Sequence, residues 1–64
     1  MDAHHLRRLR HFLGLTQFDV SMATGINIGR ISAFENERRD LDPVELRALQ
    51  AYYAARMAML NEGP

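Results

Sequence analysis

The sequence contains no cysteine, so disulfide bonds cannot support its fold, and this composition is typical of a reducing compartment. It also has no apolar run near the roughly 18 residues that a membrane-spanning helix needs. The apolar stretch at residues 12–15 follows a basic start but is too short for the core of a signal peptide. We therefore expect a soluble, cytoplasmic protein with no membrane partner.

Lysine and tryptophan are absent as well, and the formal net charge is zero. The charge is unevenly divided, because residues 1–39 carry six arginines and four acidic residues, whereas residues 40–64 carry two and four. A basic part of the surface can thus attract an anionic partner although the whole chain is neutral. With 64 residues, the chain is predicted to form a single domain over residues 1–64 with a small core.

The apolar residues follow a helical spacing, and no stretch alternates as a strand would. Leu6, Leu9 and Leu13 fall on one face of a first helix, and Gly14 is placed to end it. Three later helices are predicted from residues that suit the N-cap, namely Thr16, Asn27 and Asp42. We expect an all-α fold, a small bundle of four helices, or five if the last one divides.

The second and third helices are separated by Gly25 and joined by only about three residues, which favours a crossing near 90–120° and a helix-turn-helix. Residues 6–37 contain, in order, Arg10 and four short motifs: Gly14-Leu15-Thr16-Gln17, Ala23-Thr24-Gly25-Ile26, Ile31-Ser32 and Glu35-Asn36. In these motifs the chain resembles the lambda-repressor-like (Cro/XRE) helix-turn-helix family. The resemblance implies an all-α, usually dimeric DNA-binding domain that regulates transcription, with a helix-turn-helix core over about residues 6–40.

By this resemblance, the third helix reads base edges in the major groove of double-stranded DNA. The corresponding positions are Asn27, Ile28, Gly29, Arg30, Ser32, Ala33 and Asn36. Arg30 suits guanine, Asn36 suits adenine or a phosphate, and Ile28 or Ala33 can pack on a thymine methyl group. Gly29 costs about 1 kcal/mol relative to alanine within a helix, which suggests that something approaches the backbone there. The alternative is an ordinary surface helix of a small bundle.

Two pairs of residues are candidates for phosphate contacts. Thr16 and Gln17 lie at the start of the second helix, where free amides and the helix dipole favour an anion, and the resemblance implies a side-chain contact from Gln17. Arg38 and Arg39 follow the third helix in a predicted loop and suit phosphates, although a pair of solvated charges is almost as good an interpretation.

The resemblance also implies a structural ion pair between Arg10 in the first helix and Glu35 at the end of the third. Such a pair orients the third helix and does not itself touch DNA. The chain departs from the family at Glu37, where related sequences often have glycine. The motif therefore makes no prediction for the turn that follows the third helix.

From Pro43 to about Asn61 the chain has no glycine and no further proline, which predicts one long helix where the family more often has two. One apolar stripe along it comprises Leu46, Leu49, Tyr53, Met57 and Leu60. A second comprises Ala48, Tyr52, Ala55 and Met59. Because a small bundle covers one stripe, we expect the second to form a homodimer interface, on a dimerisation helix spanning about residues 42–61. The alternative is a kink near residues 54–55 that folds both stripes onto one core.

Nothing in the sequence suggests catalysis, a metal or a cofactor. It has no nucleophilic cysteine and no glycine-rich phosphate loop with lysine, and His4, His5 and His11 have no carboxylate or cysteine at a ligand spacing. No small-molecule pocket is expected in so small a bundle.

We expect a homodimeric repressor from a bacterium, phage or other mobile element, which occludes a promoter at an inverted repeat, and not an enzyme. The alternative is an antitoxin-like or phage-encoded module that uses the same fold to bind another protein. The neutral net charge and the few polar groups on the third helix favour this alternative.

Overall fold

A computed structural model describes residues 3–60 of the chain. These residues form four α-helices and no strand: α1 (Ala3–Phe12), α2 (Gln17–Thr24), α3 (Ile28–Glu35) and α4 (Pro43–Leu60). The prediction of an all-α bundle of four helices is confirmed. Helix α4 runs as one element through residues 54–55, where a kink was the alternative. Its expected end near Asn61 lies outside the described residues.

The turn that ends α1 depends on Gly14, whose φ of 72° lies in the left-handed region. The Gly14 N–H donates to the His11 carbonyl at 3.0 Å, and the Leu15 N–H donates to the Arg10 carbonyl at 3.1 Å. These two bonds form a Schellman motif, which favours glycine because a Cβ is disfavoured at this φ. The first helix therefore ends where the glycine predicted it.

Helix α2 begins with a capping box and ends at a second left-handed glycine. The Thr16 hydroxyl accepts a hydrogen bond from the Asp19 N–H at 3.0 Å, and the Asp19 carboxylate accepts one from the Thr16 N–H at 2.8 Å. Gly25 has a φ of 77° and starts the short turn into α3. Ser21 fixes this turn, because its hydroxyl donates to the Ile26 carbonyl at 2.6 Å.

The turn that ends α3 repeats the geometry at Gly14 but has a glutamate at the left-handed position. Glu37 has a φ of 59°, and its N–H donates to the Phe34 carbonyl at 3.0 Å. The Arg38 N–H donates to the Ala33 carbonyl at 2.8 Å, which completes a second Schellman motif. A side chain at this φ costs about 1–2 kcal/mol, so the departure from glycine keeps the turn but strains it.

The core takes residues from all four helices and from the two segments that flank α3. It comprises Leu6, Val20, Ile26, Ile31, Phe34, Leu41, Leu49 and Tyr53. Each side chain of this kind contributes about 1.5–3 kcal/mol when fully buried. Because only eight buried core side chains within residues 3–60 are shared among the four helices, the orientation of each helix depends on very few contacts. A domain of this size is also only marginally stable.

Helix α4 is covered in its first half and exposed at its C-terminal end. The buried or half-buried members of the two apolar stripes are Leu46, Ala48, Leu49, Tyr52, Tyr53 and Met57. The exposed members are Ala55, Met59 and Leu60. Exposure thus changes along the helix, whereas the apolar pattern of the sequence predicted that it would differ between the two stripes. The difference arises at Tyr52, which lies on the second stripe but packs against the core.

Candidate nucleic-acid interface

The core contacts of α3 decide which of its faces is free. Ile31 and Phe34 are buried in the core, and Glu35 is buried in an ion pair. At 3.6 residues per turn, the side away from the core carries small or polar side chains. We define the free face of α3 as Gly29, Ser32, Ala33 and Asn36, and Ile28 and Arg30 flank it. Ser32 and Ala33 are half-buried, whereas Gly29, Asn36 and the flanking Ile28 are exposed.

The N-terminus of α3 is capped by Asn27, one of the expected base-reading residues. Its Oδ1 accepts a hydrogen bond from the Gly29 N–H at 2.8 Å. A Cβ added to Gly29 would lie 3.0 Å from this same oxygen. The group that approaches Gly29 closely is therefore the chain's own cap, and the glycine needs no external partner to explain it.

Arg10 of α1 holds Glu35, the last residue of α3. Arg10 Nε donates to Glu35 Oε2 at 2.7 Å and Nη2 donates to Oε1 at 2.9 Å, while Nη1 donates to the Leu15 carbonyl at 2.8 Å. Burial alone would raise the pKa of Glu35, but hydrogen bonds from Arg10 and Gln17, with the charges of Arg10 and Arg7, lower it. The pair stays charged and ties the end of α3 to α1.

Thr16 and Gln17, the expected phosphate contacts at the start of α2, both make hydrogen bonds within the chain. Thr16 is engaged in the capping box, whose partner Asp19 places a carboxylate in the first turn of α2. Gln17 Nε2 donates to Glu35 Oε1 at 3.0 Å, so its amide joins the start of α2 to the end of α3. An amide group has two N–H donors, and this bond engages one of them.

Arg30 of α3 is paired with Glu45 of α4. Arg30 Nε donates to Glu45 Oε2 at 2.9 Å, and Nη2 donates to Oε1, so the carboxylate is bound by two atoms of the guanidinium group. Glu45 also completes the capping box of α4, because its N–H donates to Asp42 Oδ1 at 2.8 Å and its Oε1 accepts from the Asp42 N–H at 3.2 Å. The position of Glu45 three residues after Asp42 in the sequence fits a capping box, but no local pattern links Glu45 to Arg30.

Arg38 and Arg39 lie in the segment between α3 and α4 with exposed side chains. Neither takes part in an ion pair among residues 3–60. A polar cleft lies nearby, at the C-terminal end of α3, and is lined by His4, Arg7, Glu35, Asn36 and Glu37. No sequence motif marks Arg7, and its only signal is membership of the basic N-terminal segment.

Comparison with known proteins identifies the type of domain. A family model described as a helix-turn-helix domain matches residues 4–55. The chain belongs to the helix-turn-helix family. This confirms the family predicted from the motifs in residues 6–37. No curated protein and no solved structure matches the chain significantly.

The helix-turn-helix consists of α2, the turn at Gly25 and α3, and family membership points to a DNA-binding regulator. In DNA-binding members of this architecture, the second helix of the motif lies in the major groove. In this chain that helix is α3. Its free face, Arg30 beside it and the Arg38–Arg39 pair beyond it are the candidates for DNA contacts.

Outside the helix-turn-helix, residues 3–60 contain no metal-binding cluster and no membrane-spanning helix. Helix-turn-helix families of this kind are typically non-enzymatic. Within residues 3–60, no three histidine or acidic side chains are grouped so that they could hold a metal ion. None of the described helices combines the length and apolarity needed to cross a bilayer.

Proposed function

We propose that this helix-turn-helix protein is a regulator that binds a specific sequence in double-stranded DNA. The observation that carries the proposal is the free face of α3, which has small side chains and lies next to Arg38 and Arg39, whose exposed side chains form no ion pair within residues 3–60. Small side chains allow a helix to sit deep in the major groove. Arginines beside it bind the phosphates that border the groove.

We infer that only a few side chains on or beside α3 contact the bases. Arg30 can donate to guanine, and the exposed side chain of Ile28 can pack on a thymine methyl group. Asn36 Nδ2 donates to the Ser32 carbonyl at 2.9 Å, which leaves its carbonyl oxygen and its second N–H for a base or a phosphate. Because Gly29 and Ala33 offer no side-chain hydrogen bonds, we infer that DNA shape supplies part of the specificity.

Phosphate contacts come from both ends of the helix-turn-helix. Arg38 and Arg39 supply charge beyond the C-terminal end of α3. At the start of α2, Gln17 retains one side-chain N–H, and the amides of the first helical turn add donors near Thr16. The bond between Gln17 and Glu35 holds the Gln17 amide in position, which lowers the entropic cost of a phosphate contact.

We further propose that the protein is a homodimer that represses by occluding a promoter. The proposed interface residues are Ala48, Tyr52, Ala55 and Met59. Ala55 and Met59 are the best supported of these, because both are exposed, as is the adjacent Leu60. Met59 is 58% exposed and Leu60 is 60% exposed. A two-fold pair of α4 helices would place two α3 helices for an inverted repeat. It would also add buried apolar surface that a small domain needs.

A second candidate is a module that binds another protein. It is favoured by Phe18 and Met22, which lie one turn apart on α2 and are 61% and 71% exposed. Both point away from the buried Val20, and DNA binding through α3 does not explain them. Apolar side chains at this spacing form a patch that suits a protein partner.

Removing the exposed arginines separates the two functions. We expect the double variant Arg38→Ala/Arg39→Ala to bind a labelled random-sequence duplex at least about tenfold more weakly at about 0.15 M salt, because two phosphate contacts are lost. Arg47→Ala is the matched control, since Arg47 is an exposed arginine on α4. Equal, small effects from both variants would contradict the proposed interface and favour the protein-binding module.

A further inference from the structure

Arg30 is the only cationic residue of α3, and its charge is already matched within the chain. Two neighbouring nitrogens of its guanidinium group, Nε and Nη2, donate to the Glu45 carboxylate. Nη1 has no protein acceptor among the described residues. Arg30 thus offers hydrogen-bond donors at the edge of the free face of α3, next to Gly29 and one turn before Ala33, but little net charge.

Glu45 is held in place independently of Arg30. It is the third residue of α4, where the helix dipole favours a negative charge, and it exchanges two hydrogen bonds with Asp42. The hydrogen bond from Arg30 lowers the pKa of Glu45 and so favours the ionised carboxylate. Arg30 therefore meets a fixed acceptor, while its own side chain remains 44% exposed.

An arginine whose charge is matched by a carboxylate interacts differently with the two classes of DNA acceptor, phosphates and base edges. A phosphate is attracted by net positive charge, and a nearby carboxylate repels it. A guanine edge is a neutral pair of acceptors, which needs donors in the right geometry and no net charge. An arginine that is paired with a carboxylate therefore loses phosphate attraction while it keeps donors for a base.

We propose that Glu45 is a specificity-determining residue of the DNA interface. By pairing with Arg30, it withholds the only positive charge of α3 from phosphates and leaves the remaining guanidinium donors for base edges. This inference rests on the proposed function, that the free face of α3 enters DNA. It assigns Glu45 a role beyond its place in the capping box of α4.

The test compares sequence-independent DNA binding with and without the carboxylate. Glu45→Gln removes the charge and keeps a side chain that suits a capping box. The probe is a labelled random-sequence duplex of roughly 24 base pairs, a little over two helical turns, titrated between about 0.05 and 0.2 M salt. We expect Glu45→Gln to bind this probe about two- to fivefold more tightly, because a competing exposed ion pair is lost. The slope of log affinity against log salt steepens by about 1, because one phosphate contact is gained.

Two further variants attribute the effect to Arg30. In an Arg30→Met background, Glu45→Gln should change the affinity by less than about half of its effect in the wild type, because the released guanidinium is absent. Asp40→Asn, which removes the same charge from the exposed α3–α4 segment, should act equally in both backgrounds. Should Glu45→Gln prove unfolded by circular dichroism, Glu45→Asp replaces it. The Thr16–Asp19 box shows that aspartate fits this cap position in the chain, and its shorter side chain would release Arg30.

Each outcome decides something. If the wild type binds the probe and Glu45→Gln has the same effect with and without Arg30, or no effect, the role of Glu45 is overturned and the proposed function stands. If neither the wild type nor the folded Glu45 variant binds at about 0.05 M salt, DNA binding itself is contradicted, and this inference with it.

Discussion

Arg10 and Glu35 are 25 residues apart in the sequence and meet through two hydrogen bonds of 2.7 and 2.9 Å in the interior. The same carboxylate accepts the amide of Gln17 at 3.0 Å, so the two helices of the helix-turn-helix and α1 converge on one group. The orientation of α3, and with it the free face that we propose to enter DNA, depends on this carboxylate.

Removing one residue of this ion pair should lower the free energy of unfolding far more than removing both. We expect Arg10→Met to lower the free energy of unfolding by about 3 kcal/mol, because it leaves the Glu35 carboxylate buried without its main partner. The loss is large beside the roughly 3–10 kcal/mol typical of a domain this size. The double variant Arg10→Met/Glu35→Leu should recover most of it in urea unfolding. If the free energy of unfolding of Arg10→Met lies within about 0.5 kcal/mol of the wild-type value, the structural role of the pair is contradicted.

Acid should weaken the fold through Glu35. The pKa of Glu35 in the folded protein lies below its ordinary value of 4.5. Its contribution to the free energy of unfolding is therefore fully present above about pH 4.5 and is lost as the pH falls through the folded pKa. We expect the unfolding temperature to drop steeply below about pH 4.5, and Glu35→Gln to show a shallower drop from a lower value at pH 7. Asp19 and Glu45 also have lowered pKa values and are retained in both proteins. Parallel curves for the two proteins would contradict the role of Glu35.

Replacing the left-handed residue after α3 should stabilise the protein. Glu37 has a φ of 59°, so Glu37→Gly should raise the free energy of unfolding by about 1 kcal/mol and the unfolding temperature by about 4–8 °C. Glu37→Ala removes the same carboxylate but keeps a Cβ, and it should give no such gain. The prediction is wrong if the alanine variant is as stable as the glycine variant in a thermal melt.

The hydroxyl of Tyr53 is buried and makes no hydrogen bond among the described residues. Burial raises the pKa of this phenol, and the nearby Glu35 charge raises it further. We expect Tyr53→Phe to raise the free energy of unfolding by about 1 kcal/mol, since it removes a desolvated polar group without a partner. Tyr52→Phe serves as the comparison, because Tyr52 is only half-buried. A loss of about 1 kcal/mol in Tyr53→Phe would show that the hydroxyl has a partner.

The proposed dimer depends on the exposed end of α4. Met59→Glu should shift the solution mass in sedimentation equilibrium from twice the 7.4 kDa chain mass to that mass, because it places a charge in an apolar contact. Val44→Glu is the matched control, since Val44 is 70% exposed at the other end of the same helix. A wild type that sediments as a monomer at all concentrations tested would exclude the homodimer.

The local features of the fold could be predicted from the sequence, because their partners lie within a few residues. The box of Thr16 and Asp19 and the left-handed turns at Gly14 and Gly25 depend on hydrogen bonds inside one turn of chain. The continuous α4 followed from the lack of glycine and of any further proline between Pro43 and Leu60. The contact of Arg10 with Glu35 was expected only from the family resemblance, since no local pattern joins these positions.

The contacts between helices could not be predicted in the same way. Arg30 and Glu45 are 15 residues apart, and each already had a local interpretation, as a base reader and as a capping residue. Their meeting depends on where α3 and α4 lie relative to each other, which is set by the packing of both helices on α1 and α2 and not by neighbouring residues. The same placement decides that Tyr52 packs inward while Met59 lies exposed, although both belong to one stripe of the helix.

The most direct test of sequence-specific DNA binding is selection by the purified protein from a pool of random duplexes at about 0.15 M salt, where bulk phosphate binding is suppressed. We expect an enriched inverted repeat with half-site centres about one helical turn, or 10 base pairs, apart. That result would establish base recognition by α3 and the two-fold arrangement together. No enrichment by a protein that is folded by circular dichroism would contradict the account and leave the protein-binding module as the function to pursue.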